Sequence, residues 1–178
     1  MQLKLHPAES RAPGTTIEAK LIRDSAQTLT LQFEIQNSTH VSFGDRVDAI
    51  RCDDLWRETC FECFLSREGE SIYFEWNLAP SGCWQFYRFD SYRSNCTRPE
   101  MLPPERLANG PKTWSWRLML PVELTAGVLE SSVAMVMIES NPKTESSPFY
   151  WASSHRGAKP DFHLRSSIEY SVANWRES

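Results

Sequence analysis

The chain has 178 residues, 40% of them hydrophobic and 24% charged, which suits a single domain over residues 1–178 with room for a substantial core. A formal net charge of −4, with no Lys/Arg-dense stretch, argues against nucleic-acid or anionic-membrane binding through bulk charge. No run approaches the roughly 18 apolar residues of a membrane span, and the first residues, MQLKLHPAES, carry no secretory signal, so the expectation is a cytoplasmic protein.

Taken in chain order, the signal is period two. Residues 16–23, TIEAKLIR, read as a strand that can pair with the next, TLTLQFEIQ. There Leu29, Leu31, Phe33 and Ile35 point one way and Thr30, Gln32 and Glu34 the other. Further strands are expected over residues 59–66, 71–79, 83–90, 113–121, 132–140 and 166–173, with turn chemistry at REGE, APSG and ANGPK. Helical signal is confined to PVELTAGVLE and PPERLANG, each long enough for a turn or two. Many strands and few helices predict an all-β fold, an antiparallel β-sandwich of jelly-roll or immunoglobulin-like type.

The hairpin SIYFEWNLAPSGCWQFYRFD carries the most chemistry. Pairing Leu78 with Cys83 puts Ile72, Phe74, Trp76, Leu78, Tyr87 and Phe89 on one face. The other face then holds Tyr73, Glu75, Asn77, Trp84, Phe86 and Arg88. A register one residue away would bring Arg88 beside Phe74 and Trp76, where an unpaired guanidinium is costly. The mixed face reads either as a second packed layer with a satisfied Arg–Glu pair, or as a surface where rings stack on a flat polar ligand and charged groups bond it.

The run DDLWRETCFECFLS, the hairpin YFEWNLAPSGCWQFYRFDSYR and the later FYWASSHRGAKPDFH together resemble the DOMON-like proteins, a group similar to the type 9 carbohydrate-binding modules. The resemblance spans residues 29–170 and implies an antiparallel β-sandwich that binds a carbohydrate or sugar-like small molecule without catalysis. It implies Trp56 and Trp151 as the two stacking rings, Glu62 as the acidic ligand of the sugar hydroxyls, Arg88 as the basic one and Asn141 as the amide. The spacing from Asn141 to Trp151 is longer than in those modules. His155 and Lys159, in the loop that follows Trp151, join the set as ligand contacts. Asp161 and His163 would share a face if that segment is extended.

Other chemistry is weaker. Cys60 and Cys63 have knuckle spacing but sit within an alternating strand, so their sulfurs should point to opposite faces, as free thiols. No cofactor is expected. The alternative is a b-type haem, which some DOMON relatives hold between Met and His; here the donors would be Met119, Met135 or Met137 with His155 or His163. Calcium would fall to Asp45, Asp48, Asp53 and Asp54, which lack EF-hand spacing. No serine-hydrolase elbow, zinc-protease motif or phosphate loop is present.

Overall fold

The structure is a computed structural model that describes residues 1–9, 14–37, 49–110, 112–138 and 148–172. Its strands are β1 (Lys4–Leu5), β2 (Thr16–Arg23), β3 (Thr28–Gln36), β4 (Cys60–Arg67), β5 (Tyr73–Leu78), β6 (Trp84–Phe89), β7 (Glu105–Asn109), β8 (Thr113–Met119), β9 (Leu129–Ile138), β10 (Pro148–Ala152) and β11 (Tyr170–Val172). Short 3₁₀ turns occur at Leu55–Arg57, Val122–Leu124 and Arg165–Ser167. The larger sheet runs β1-β10-β9-β4-β5-β6, with β11 also on β9, and the smaller runs β2-β3-β8-β7. All of these pairings are antiparallel. The architecture is the expected all-β antiparallel sandwich.

Alternation builds the core. On β3, Leu29, Leu31, Phe33 and Ile35 are buried, and they meet Trp116 and Leu118 of β8 and Phe61, Cys63, Leu65, Phe74 and Trp76 of the opposite sheet. Phe61 is a hub, its ring 4.6 Å from Phe33 and 5.0 Å from Trp116. Burial of such rings between sheets dominates the folding free energy. Between β4 and β5 the chain turns at Gly69, whose φ of 77° suits glycine, and Glu70 N–H closes the turn on the Arg67 carbonyl at 3.1 Å.

A second apolar layer lies on the outer face of the larger sheet. Cys60, Phe64, Tyr73, Phe89, Ala134 and Val136 form it, covered by Leu55, Phe162 and Ile168. This sheet is therefore buried on both faces over much of its area, and strands β4 and β5 are almost continuously buried as a result.

Three expectations need correction. PPERLANG is not helical: residues 105–109 pair with β8, with an irregularity between Arg106 and Ala108. The tandem prolines Pro103 and Pro104 favour an extended entry, and the otherwise open edge of β8 supplies backbone partners. The FYW stretch, absent from the expected strands, lies in a strand, β10, which pairs with β9 and β1.

The third correction is the hairpin register. Leu78 pairs with Trp84, Trp76 with Phe86, and Phe74 with Arg88. One more residue enters the loop, in which Ala79 N–H bonds the Cys83 carbonyl at 2.8 Å and Gly82 N–H bonds Ala79 O at 3.1 Å. Trp84 and Phe86 thereby join the core, while Tyr87 and Phe89 move to the outer face. The cost that argued against this register is met locally. The Arg88 side chain is 26% exposed, and its Nη1 donates to Asp90 Oδ1 at 2.5 Å, with Glu123 Oε1 4.0 Å from Nε.

Candidate functional site

The outer face of the larger sheet opens into a cavity of about 650 Å³. Its floor comes from three adjacent strands. Glu62 on β4 pairs with Asn77 on β5, and Glu75 lies two residues back along β5, opposite Tyr87 of β6. Side-chain alternation sends all four toward the cavity. Tyr150, from β10, faces it beside Val136.

Loops make the walls. Arg93 and Cys96 come from the segment after β6, and Lys159, Pro160, Asp161, Phe162 and His163 from the segment after β10. The two walls are tied together at Asp161: its Oδ2 accepts the Tyr92 hydroxyl at 2.6 Å, and its Oδ1 accepts Arg93 Nη2 at 3.2 Å and His163 N–H at 3.1 Å. Burial favours the protonated form of Asp161, but these bonds and the Arg93 charge outweigh it and hold the carboxyl below its ordinary range. The rim carries Trp56, on the 3₁₀ turn that follows left-handed Asp54 (φ 59°). Trp56 is 52% exposed, with the Arg57 guanidinium 5.0 Å from its ring centre.

The floor is polar and almost sealed. Glu62 is 3%, Glu75 5% and Asn77 2% exposed. Asn77 Nδ2 donates to Glu75 Oε1 at 2.7 Å, and Cys60 Sγ–H donates to Asn77 Oδ1 at 3.5 Å. No donor among the described residues bonds Glu62. Burial, then the charge of Glu75, push its carboxyl well above the usual range, against the pull of Arg93. Burial raises Glu75 to about 7, with the Asn77 bond and Arg93 opposing.

His163 sits at the junction of floor and wall, edge-on to Phe64, Tyr73 and Phe89. The Tyr73 hydroxyl accepts Arg93 N–H at 3.2 Å and is hydrogen-bonded to His163 Nδ1 at 2.9 Å. The other ring nitrogen, Nε2, is 3.9 Å from Glu75 Oε2. Burial first, and Arg93 second, lower His163 to about 4, so the ring is neutral at physiological pH.

Of the residues expected from sequence, Trp56, Glu62 and Lys159 line this cavity. Arg88 does not: the corrected register turns it to the opposite face of β6, and Arg93 supplies the cavity's guanidinium. Trp151 pairs with Met135 and packs into the inter-sheet core at 6% exposure, so its neighbour Tyr150 faces the cavity instead. His155 bonds the Lys4 carbonyl at 2.7 Å outside the cavity lining. Asn141 lies outside the described residues.

The cysteines divide as their spacing implies, Cys60 in the outer layer and Cys63 in the core. The haem donors do not converge. Met135 and Met137 point into the inter-sheet core, whereas His163 is on the outer face. Asp45 and Asp48 fall outside the described residues; Asp53 is engaged by Gln85, Tyr87 and Arg98, and Asp54 by Arg57. Among the described residues no three His, Cys, Asp or Glu side chains are grouped to hold a metal ion.

Sequence reasoning placed Glu75 and Asn77 on the right face but did not select them, and it missed Tyr150 and Arg93. Alternation from a core-facing Trp151 would have found Tyr150. Arg93 sits on a loop in left-handed backbone (φ 49°) and carries no periodic signal.

No protein-family model matches the chain, and no curated protein does. Among solved structures, a "putative carbohydrate-binding protein" from Bacteroides uniformis ATCC 8492 aligns with a TM-score of 0.58 at 12% identity, over 89% of this chain and 78% of that one. A carbohydrate-binding module of family 9 from Caldicellulosiruptor kristjanssonii aligns in its glucose complex with a TM-score of 0.47 at 12% identity, over 99% and 85% of the two chains. Its cellotriose complex gives 0.46 at 12% identity, over 96% and 80%. At 12% identity the Bacteroides likeness is one of fold: the two proteins share a β-sandwich.

Proposed function

We propose that this chain is a non-catalytic saccharide-binding module of the DOMON-like kind, with its site in the cavity on the outer face of the larger sheet. One observation carries the reading: buried carboxylates and an amide, including a Glu62 that no described donor satisfies, form the floor of a sugar-sized cavity with aromatic walls. Buried polar groups are normally paired within the protein, and a floor left open to a cavity suits ligand hydroxyls. Trp56 supplies a half-exposed ring for the C–H face of a pyranose, and Tyr87 and Tyr150 flank the chamber. Arg93 and Lys159 are the basic groups within reach of ring substituents.

A glycan array followed by titration calorimetry on the best binder tests this. Trp56→Ala should weaken binding roughly tenfold or more with little change in thermal stability, because the ring is largely outside the core. An array with no binder, or a Trp56→Ala protein that binds like the wild type, would count against the site.

A further inference from the structure

We infer that the saccharide held in this cavity carries an ammonium group, seated between Glu62 and Glu75; the inference rests on the saccharide-binding reading above. The floor is built of side-chain oxygens that all become acceptors once Glu62 and Glu75 release the protons that burial keeps on them. Glu62 receives no hydrogen bond from any described residue, Glu75 Oε1 is occupied by Asn77 while no described donor bonds Oε2, with His163 3.9 Å away, and Asn77, whose Oδ1 receives a bond only from a thiol among the described residues, lines the same cavity. Glu62 and Glu75 are diagonal neighbours on adjacent strands, so their Cα atoms stand roughly 7–8 Å apart. A tetrahedral –NH₃⁺ is donor-only and offers three N–H bonds, which matches three acceptors around one position.

Charge points the same way. Without a counter-charge, burial and mutual repulsion keep protons on this carboxyl pair well above the ordinary carboxylate range. Arg93 is the cation whose field reaches both, yet its guanidinium is already paired with Asp161. His163 is neutral, with Tyr73 bonded to its Nδ1. A neutral sugar would leave the pair protonated, with no charge-assisted bond gained. An acidic substituent at this position would set acceptor against acceptor, and an N-acetyl group would offer one neutral N–H while bringing a carbonyl acceptor and no charge. A single ammonium supplies both the missing charge and the missing donors, through charge-assisted hydrogen bonds. A metal ion is the poorer occupant, because the described residues bring no third His, Cys, Asp or Glu ligand to the two carboxylates.

Matched sets decide it: glucose, glucosamine and N-acetylglucosamine, with the corresponding galactose and mannose sets, titrated calorimetrically near neutral pH at low salt. In the set that fits, the amine should bind roughly tenfold to a hundredfold tighter than its parent and its N-acetyl form. Glu62→Gln, isosteric and checked for folding by circular dichroism, should bring amine and parent to within about twofold. Glu75→Gln should narrow the gap likewise. If a parent hexose binds as tightly as its amine, the ammonium assignment falls while saccharide binding stands. If neither these sugars nor any arrayed glycan binds, the saccharide reading itself falls, and the ammonium with it.

Discussion

His163 and Glu75 are buried together but shifted in opposite senses, and that opposition should be visible in stability against pH. His163 drops from an ordinary 6.5 to about 4 in the fold. The unfolded chain therefore holds the extra proton between those values, and the stability that His163 contributes above pH 6.5 is lost as pH falls toward 4. Glu75 rises from 4.5 to about 7. Here the folded chain holds the extra proton, so its contribution is complete below pH 4.5 and is lost as pH rises through 7. Between pH 4.5 and 6.5 these two nearly cancel, and Glu62, raised in the same sense as Glu75, adds a further loss of stability as pH rises. One proton is worth about 1.4 kcal/mol per pH unit, so removing either group should uncover a change of roughly 2–3 kcal/mol across that window. Glu75→Gln keeps an acceptor for Asn77 and removes one of the two proton-holding carboxyls that oppose His163, so between pH 4.5 and 6.5 the variant's stability should rise relative to the wild type's as pH rises. His163→Gln should lose stability over the same range. Urea denaturation at half-unit steps of pH, fitted to two states, reads both slopes. If the variants share the wild-type slope, or depart from it in the reverse senses, the assignment of a neutral imidazole beside a proton-holding carboxyl is wrong.

Other outcomes follow from where side chains lie. Trp151→Ala should cost about 3–5 kcal/mol in denaturant unfolding, because the ring is buried between the sheets; an effect under 1 kcal/mol would contradict its core position. Arg93→Ala should weaken saccharide binding severalfold in calorimetry, whereas Arg88→Ala, on the opposite face, should leave it within about twofold. Burial pushes the Cys63 thiol up to about 12, and burial together with Cys83 does the same for Cys52. Neither should be carbamidomethylated quickly at pH 8 in the native protein, and mass spectrometry should show both labelled only once urea unfolds the chain.

Most of the strands, and which side of β3 or β4 each residue occupies, were legible from the sequence, whereas β1, β7 and β10 were not. Alternation is a local property: Leu29, Leu31, Phe33 and Ile35 must share a face once the backbone is extended. The opposite orientations of Cys60 and Cys63, and the placement of Glu62 with Cys60 and Phe64, follow from the same rule. The outer layer was legible only as a possibility, since Tyr73, Glu75 and Asn77 suit either packing or binding. What local pattern left open was register and loop placement. One residue more between β5 and β6 turned Arg88 away from Glu75 and brought Tyr87 to its side, because strand period two converts a single-residue slip into a change of face. Its local reason, pairing of Arg88 with Asp90 and Glu123, involves a contact with residue 123 that no short stretch encodes. Trp151 and Tyr150 show the same limit: both are aromatic and adjacent, and only the pairing of β10 with β9 decides which one meets the core. Sequence alone determined a β-sandwich with Glu62 and Trp56 near one surface. Tertiary structure decided that Arg93, Asp161 and His163 close over that surface, because those loops are positioned by contacts some 70–90 residues apart in the chain, between Tyr92 or Arg93 and Asp161 and between Tyr73 and His163.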